Sequence, residues 1–394
     1  MPGRDGLSRA ILEGVPALTE RTAVRFAVFG RTLRLACAAS DLPLLREHWS
    51  RCLAPEVTGP EPDARPEWDV TEPREGGRTA YLYAVQMRVT MAAIAAATGE
   101  LLLWHAAGLS TPDGRVLGLV ASSGTGKTTA TAHLATHGWG YVTDETLACT
   151  PDGRVLPYAK PLAFRRPDAD KSSVGPDELG LTVAQQRLTL HRMVLLDRDP
   201  AASDLPTLEP VGLVESVFAL VEQSSGLVAL DRPLQQMCAL LDRVGGAWRL
   251  TYAEIADAAP VLTRLMDDQP VGDRASWSAL PADEPALRGP VDPDGDTVWR
   301  APYLDAVSVG PDGDEAIVLV GSVPAHLQGI GTQIWYAAGD GIREADLPAL
   351  LQQRHGPHPD AAALARAAVD HLVQASVLVR GWSRGWSRGW GRDR

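Results

Sequence analysis

The sequence predicts a mixed α/β protein, with an α+β region before a core of alternating strands and helices and a compact β-then-α block after it. Three observations carry this. From residue 101 onward, short apolar runs alternate with helical segments, the order from which an α/β sheet is built. A Gly-rich turn at 121–128 connects one such run to a helix. Residues 268–297, rich in Pro, Asp and Glu with little periodicity, read as a linker to the last block.

Residues 1–100 form the α+β region. Residues 1–20 are a loose lead-in; Val24, Phe26 and Val28 then alternate before Gly30, and Leu33 and Leu35 after it, which predicts a hairpin. Ser40 or Asp41 caps a helix carrying Leu44, Leu45, His48, Trp49 and Cys52. A long loop over 54–78, a strand over 79–85 and a helix over 87–97 complete it. The core spans 101–267, with strands at 101–104, 116–120, Gly140–Thr143 and 193–196 and a helix at 127–137. The block at 298–380 has strands near 298–307, broken by Pro302, and at 317–320. Helical faces follow at Leu327, Ile330 and Ile334, at Leu347, Leu350 and Leu351, and over 361–375. Residues 381–394 repeat Trp, Arg and Gly and read as a disordered tail.

Charge and cysteine usage narrow the function classes. The 394 residues carry a net charge of −12, which disfavours nucleic acid and anionic membrane as partners. Four cysteines without C-x-x-C spacing suggest neither zinc nor a redox pair. With no apolar signal segment at the start, the expectation is a cytoplasmic protein. Lysine is nearly absent: Lys127, Lys160 and Lys171 stand among 37 basic residues, so each survivor invites a reason for not being arginine.

Lys127 has one. Ala121-Ser122-Ser123-Gly124-Thr125-Gly126-Lys127-Thr128 follows an apolar run and opens a helix, the setting of a phosphate-binding loop. Glycines let successive N–H groups face phosphate oxygens at a helix N-terminus. The candidate nucleotide-binding set is Ser122, Ser123, Gly124, Thr125, Gly126, Lys127, Thr128 and Thr129. Lys127 offers a mobile charge to the terminal phosphates and Thr128 a hydroxyl to Mg²⁺. Ala121 stands where the pattern has its first glycine, a position open to alanine while φ stays negative.

Seventeen residues after Lys127 comes Tyr141-Val142-Thr143-Asp144-Glu145. One crossover puts this acidic pair at the carboxyl end of a neighbouring strand. Adjacent carboxylates on an extended segment point apart, so one can take a proton while the other serves the metal. His105 ends the run before the loop's strand, where a hydrogen-bonded structural role is the plainer reading.

The series His105-Ala106-Ala107-Gly108, then Ser122 to Thr128, then Val142-Thr143-Asp144-Glu145 resembles the core of the HPr kinase/phosphorylase family over about 101–266. The resemblance implies an HPr kinase-like mixed sheet that uses ATP and Mg²⁺. It makes Asp144 the acid/base for a Ser or Thr hydroxyl, Glu145 with Thr128 the metal group and His105 a partner of Asp144. It also carries the expectation of a homo-oligomer. Glu145 stands where the family has Asp, and the family's phosphorolysis signature is missing, so kinase-type transfer is the expected direction. The segment Leu156-Pro157-Tyr158-Ala159-Lys160-Pro161-Leu162 resembles one in short HPr-kinase-like proteins of peptide-modification clusters. Lys160, with Arg165 and Arg166, reads either as a substrate-neutralising group or as part of a surface hairpin.

Trp299-Arg300-Ala301-Pro302-Tyr303 and the helices that follow resemble the PqqD family over 298–380. That implies a winged-helix-like domain that recognises the leader of a ribosomally made precursor peptide by strand addition, at 317–320 and the helix from Ala361. The combined expectation is a kinase acting on a leader-delivered peptide, alongside other peptide-modifying enzymes. Two alternatives stay open: a non-catalytic ATP-binding recognition scaffold, and a small-molecule kinase.

Overall fold

The computed structural model describes residues 20–55, 68–71, 77–122, 125–166, 169–201, 205–270, 276–281 and 295–381. The lead-in, most of the 54–78 loop, parts of the linker, Ser123, Gly124 and the Trp/Arg tail beyond Gly381 lie outside the described residues. The chain forms two units: residues 1–96 with 156–182, and residues 97–155 with 183–394.

In the first unit, β1 (Arg21–Val28) and β2 (Arg31–Ala38) form the expected hairpin. Phe29 and Gly30 turn it with φ of 51° and 71°, the left-handed pair that matches strand twist. Val24, Phe26, Leu33 and Leu35 are buried on one face. After α1 (Leu42–His48) and the short β3 (Trp68–Val70), α2 runs from Arg78 to Ala97. The strand expected at 79–85 is therefore helical. Thr79, Tyr81, Tyr83 and Val85 alternate, yet Leu82, Val85, Val89 and Ala93 are the buried stripe, and helical spacing governs the burial. Among the described residues α2 alone is long and apolar enough to cross a membrane, and this stripe is already buried within the protein.

The second unit begins with β4 (Leu102–Trp104), β5 (Ala106–Ser110), β6 (Arg115–Val120), α3 (Lys127–Thr136), β7 (Gly140–Thr143), β8 (Leu147–Cys149) and β9 (Val155–Leu156). The antiparallel pair β10 (Leu162–Arg166) and β11 (Ala169–Val174) belongs to the first unit. There a polar chain is buried: His48 bonds Ser173 at 2.8 Å, Ser173 donates to Gln86 at 2.7 Å, and Thr90 bonds Tyr158 at 2.7 Å. Lys160 is fully buried in the same unit, its Nζ donating to the Pro161 carbonyl at 3.1 Å.

The core resumes with β12 (Thr189–Arg198), β13 (Thr207–Val211), α4 (Leu213–Glu222), α5 (Pro233–Arg243), β14 (Ala247–Tyr252) and α6 (Ile255–Asp267). Its sheet has the order β13-β14-β12-β6-β5-β7. β12 is parallel to β14 and β6, whereas β5 is antiparallel to both β6 and β7. β7 is thus not the neighbour of β6. It still runs in the same direction, so both carboxyl ends and the start of β5 meet at one edge. Gly108 and Gly118 face each other across β5 and β6, and a Cβ on either would come within 2.9 Å of Leu147. That gap seats Leu147 just beyond the turn after β7.

The linker supplies a strand, β15 (Trp277–Ala279), paired to β17 (Asp305–Val309). Around it lie β16 (Thr297–Arg300), β18 (Glu315–Val320), β19 (Val323–Leu327), α7 (Ile330–Ala337), β20 (Ile342–Arg343), α8 (Leu347–His355), α9 (Ala361–Gln374) and β21 (Leu378–Arg380). Residues 317–320, expected to receive an added strand, lie in β18, which is hydrogen-bonded to β17 on one side and β19 on the other. In the sheet β15-β17-β18-β19 the edge strands are β15 and β19. Ala306, Ala316 and Val318 pack with α7 to α9, as Arg300 lies 4.0 Å over the Trp335 ring. Val307, Val309, Ile317 and Leu319 pack into the cluster that includes α4 and α5. The block is joined to the core by a shared apolar layer as well as by the linker.

Candidate active site

Every element of the candidate site reaches the sheet edge where β6 and β7 end. From β6 the chain enters the loop, where the Thr125 hydroxyl donates to the Ser122 carbonyl at 2.8 Å. Gly126 caps α3 with φ of 91°, a conformation that strains any side chain. Lys127 folds back beneath the loop, its Nζ donating to the Ala121 carbonyl and, at 3.3 Å, to that of Ser122. Burial pulls its pKa down, and the carboxylates of Glu145 and Asp144 oppose that shift. Thr129, in the helix's first turn, is exposed.

Asp144 is 4% exposed and held from two elements. The Thr128 hydroxyl, on α3, donates to Oδ2 at 3.1 Å, and the Tyr141 hydroxyl, on β7, donates to Oδ1 at 3.2 Å. Past Asp144 the Thr143 hydroxyl accepts from the N–H groups of Glu145 and Thr146 at 3.3 Å, which shapes the turn. Glu145 thereby faces the other way, with Oε1 3.6 Å from His105 Nδ1. His105 is anchored through its backbone N–H to the Gln223 carbonyl at 2.7 Å. Burial and the Lys127 ammonium lower its pKa against the pull of Glu145, so the imidazole is neutral at pH 7.

The two carboxylates divide as alternation requires, but the pairing is the reverse of the expectation. Asp144, not Glu145, shares the Thr128 hydroxyl, and Glu145, not Asp144, faces His105. Lys160 is buried in the first unit, which leaves it no surface to offer a substrate phosphoryl group. Arg165 and Arg166 lie in β10, and their side chains are outside the described residues. Tyr141 went unassigned in the sequence, because strand alternation aims residues 141 and 144 to opposite faces and only the turn brings them together.

Mg²⁺ fits this donor set. The Thr128 hydroxyl and the Asp144 carboxylate are hard oxygen ligands 3.1 Å apart. No group of three or more His, Cys, Asp or Glu able to hold a metal occurs among the described residues. Beside the loop, a cavity of ≈ 410 Å³ opens between the ends of β6, β12 and β14 and α4, with Ser122, Asp197, Glu222, Gln223 and Arg249 in its wall.

No protein-family model matches the chain, and no curated protein does. Among solved structures, the Hpr(Ser) kinase/phosphatase from Coxiella burnetii is similar at 12% identity, covering 42% of this chain and 88% of that one, with a TM-score of 0.21.

Proposed function

We propose that the chain is an ATP-dependent kinase that phosphorylates a Ser or Thr hydroxyl of a ribosomally made precursor peptide. The observation that supports this is the meeting of Lys127, Thr128, Asp144, Glu145 and His105 at one sheet edge, built from three separate strands and one helix N-terminus. Lys127 exchanges its carbonyl partners for donor phosphate oxygens. Thr128 and Asp144 would hold Mg²⁺, which would neutralise charge on the transferring phosphates. The acceptor oxygen bonds to the γ-phosphorus as the bond to the ADP oxygen breaks, and the hydroxyl proton passes to the Glu145 carboxylate. Neutral His105 orients that carboxylate. Little of the rate comes from proton transfer; positioning and charge stabilisation dominate such reactions.

In this reading the leader adds as a strand beside β19, one of the two edge strands of that sheet, and the peptide reaches the transfer site from there. The test is incubation of the full chain with ATP, Mg²⁺ and a precursor peptide. A mass gain of one phosphoryl group, lost in Lys127→Ala, supports the kinase. Tight leader binding without transfer supports a nucleotide-binding scaffold, the reading that Ala121 in the loop favours. Transfer to small hydroxy compounds but not to peptide supports a small-molecule kinase.

A further inference from the structure

Arg198 ends β12, the strand hydrogen-bonded to β6. Two of its three nitrogens are engaged: Nε donates to the Ala253 carbonyl at 3.0 Å and Nη2 to Glu254 Oε1 at 2.9 Å. Among the described residues Nη1 has no hydrogen-bond partner. That nitrogen lies beside the loop, 3.9 Å from where a Cβ would stand on Gly126, with the Arg198 Cδ at 3.7 Å. The guanidinium thus lies within van der Waals reach of Gly126, the residue that caps α3.

We propose that Arg198 is a second phosphate-binding cation of the donor site, acting from the β12 side; this rests on the nucleotide reading above. A guanidinium is planar, permanently charged and geometrically matched to phosphate oxygens. The Nε bond to the Ala253 carbonyl holds the guanidinium beside the loop before binding, so less rotamer freedom remains to be lost. Glu254 is 67% exposed, and a screened surface partner of this kind gives way readily to a polyphosphate. Lys127 approaches from beneath the loop, where Ala121 and Ser122 hold it. The two cations thus come from different elements, the first turn of α3 and the end of β12.

The test is calorimetric titration of Mg·ATP and of tripolyphosphate into wild type, Arg198→Met, Arg198→Lys, Glu254→Gln and Lys127→Ala, each checked for an unchanged thermal melt. Arg198→Met weakens both ligands by about 10- to 100-fold and by the same factor, because the arginine touches phosphate only. Arg198→Lys loses most of that affinity, since an ammonium cannot hold the Ala253 carbonyl and reach the loop together. Glu254→Gln stays within about threefold. The proposal is overturned if Arg198→Met binds both ligands like wild type while Lys127→Ala binds neither. It is equally overturned if Arg198→Met loses ATP but keeps tripolyphosphate, which would place the arginine against the nucleoside. Wild type that binds neither ligand removes the nucleotide reading and this proposal with it.

Discussion

The Thr128 hydroxyl donates to Asp144 Oδ2 at 3.1 Å and so ties the first turn of α3 to the end of β7, two strands away from β6. In the proposed site this bond puts Asp144 on the metal side, while Glu145 faces His105. Asp144→Asn is expected to weaken Mg·ATP binding about tenfold or more. Glu145→Gln should keep nucleotide affinity within about threefold and lower turnover by roughly 100-fold, the usual range for a lost general base. Separate measurement of Kd and single-turnover rate checks the split. Identical losses of affinity in both variants would return the metal to Glu145.

Tyr141→Phe removes the donor to Asp144 Oδ1 without opening a cavity, since the ring is buried and retained. Tyr141 is proposed to position Asp144, the residue on the metal side, so its loss is expected in Mg·ATP affinity, raising KM for ATP by about 10-fold with kcat within about threefold. A merely structural tyrosine would lower the melting temperature and leave the ratio of kcat to KM alone. Steady-state kinetics beside a thermal melt distinguish the two.

These two residues also mark how far the sequence was legible. The loop at 121–128 is local, so its residues could be read in a row. The acidic pair needed only a count of one crossover. Strand order is different: β5 separates β6 from β7 through non-local pairing, and nothing in the spacing between Lys127 and Asp144 registers an intervening strand. Lys160 reads either as a substrate-neutralising group or as part of a surface hairpin, and its burial comes from packing that the neighbouring residues in sequence do not reveal. Trp277 lies in a Pro-rich stretch that composition reads as linker. It becomes a strand because β17 offers an edge and Asp242 accepts its indole N–H at 2.6 Å.

The first unit should carry its own pH dependence. His48, buried beside the Arg78 charge, is lowered from 6.5 to about 4. Below pH 6.5 the unfolded chain takes up a proton that the folded chain refuses until about 4, so stability falls as pH falls through that window. The full effect is about 3 kcal/mol. Urea unfolding at pH 7.5 and pH 4.5 is expected to show a smaller acid loss in His48→Gln than in wild type. Gln keeps a partner for Ser173 and has no proton to gain. Equal losses in both proteins would mean that carboxylates alone set the acid limb.

The sharpest test of the architecture lies at Asp305. Its side chain is fully buried, and its carboxylate accepts from the Gln235 N–H at 3.0 Å and from Gln235 Nε2 at 2.9 Å. α5 has no cap of its own: Arg232 at its N-cap, with φ of 49°, makes no side-chain cap bond. Asp305 on β17 thus satisfies an orphan amide of a core helix from 70 residues further along the chain. Asp305→Ala leaves those donors buried without an acceptor, which costs roughly 3 kcal/mol. Asp305→Asn, which keeps an amide oxygen in place, should cost about half as much. Because Val307 and Ile317 share a cluster with α4, α5 and β6, the loss should lower the unfolding midpoint of the whole second unit in one transition. ATP is expected to raise that midpoint in both variants. If instead residues 295–381 melt separately while the nucleotide-stabilised transition stays where it was, the block is a tethered module and the Asp305 cap couples nothing.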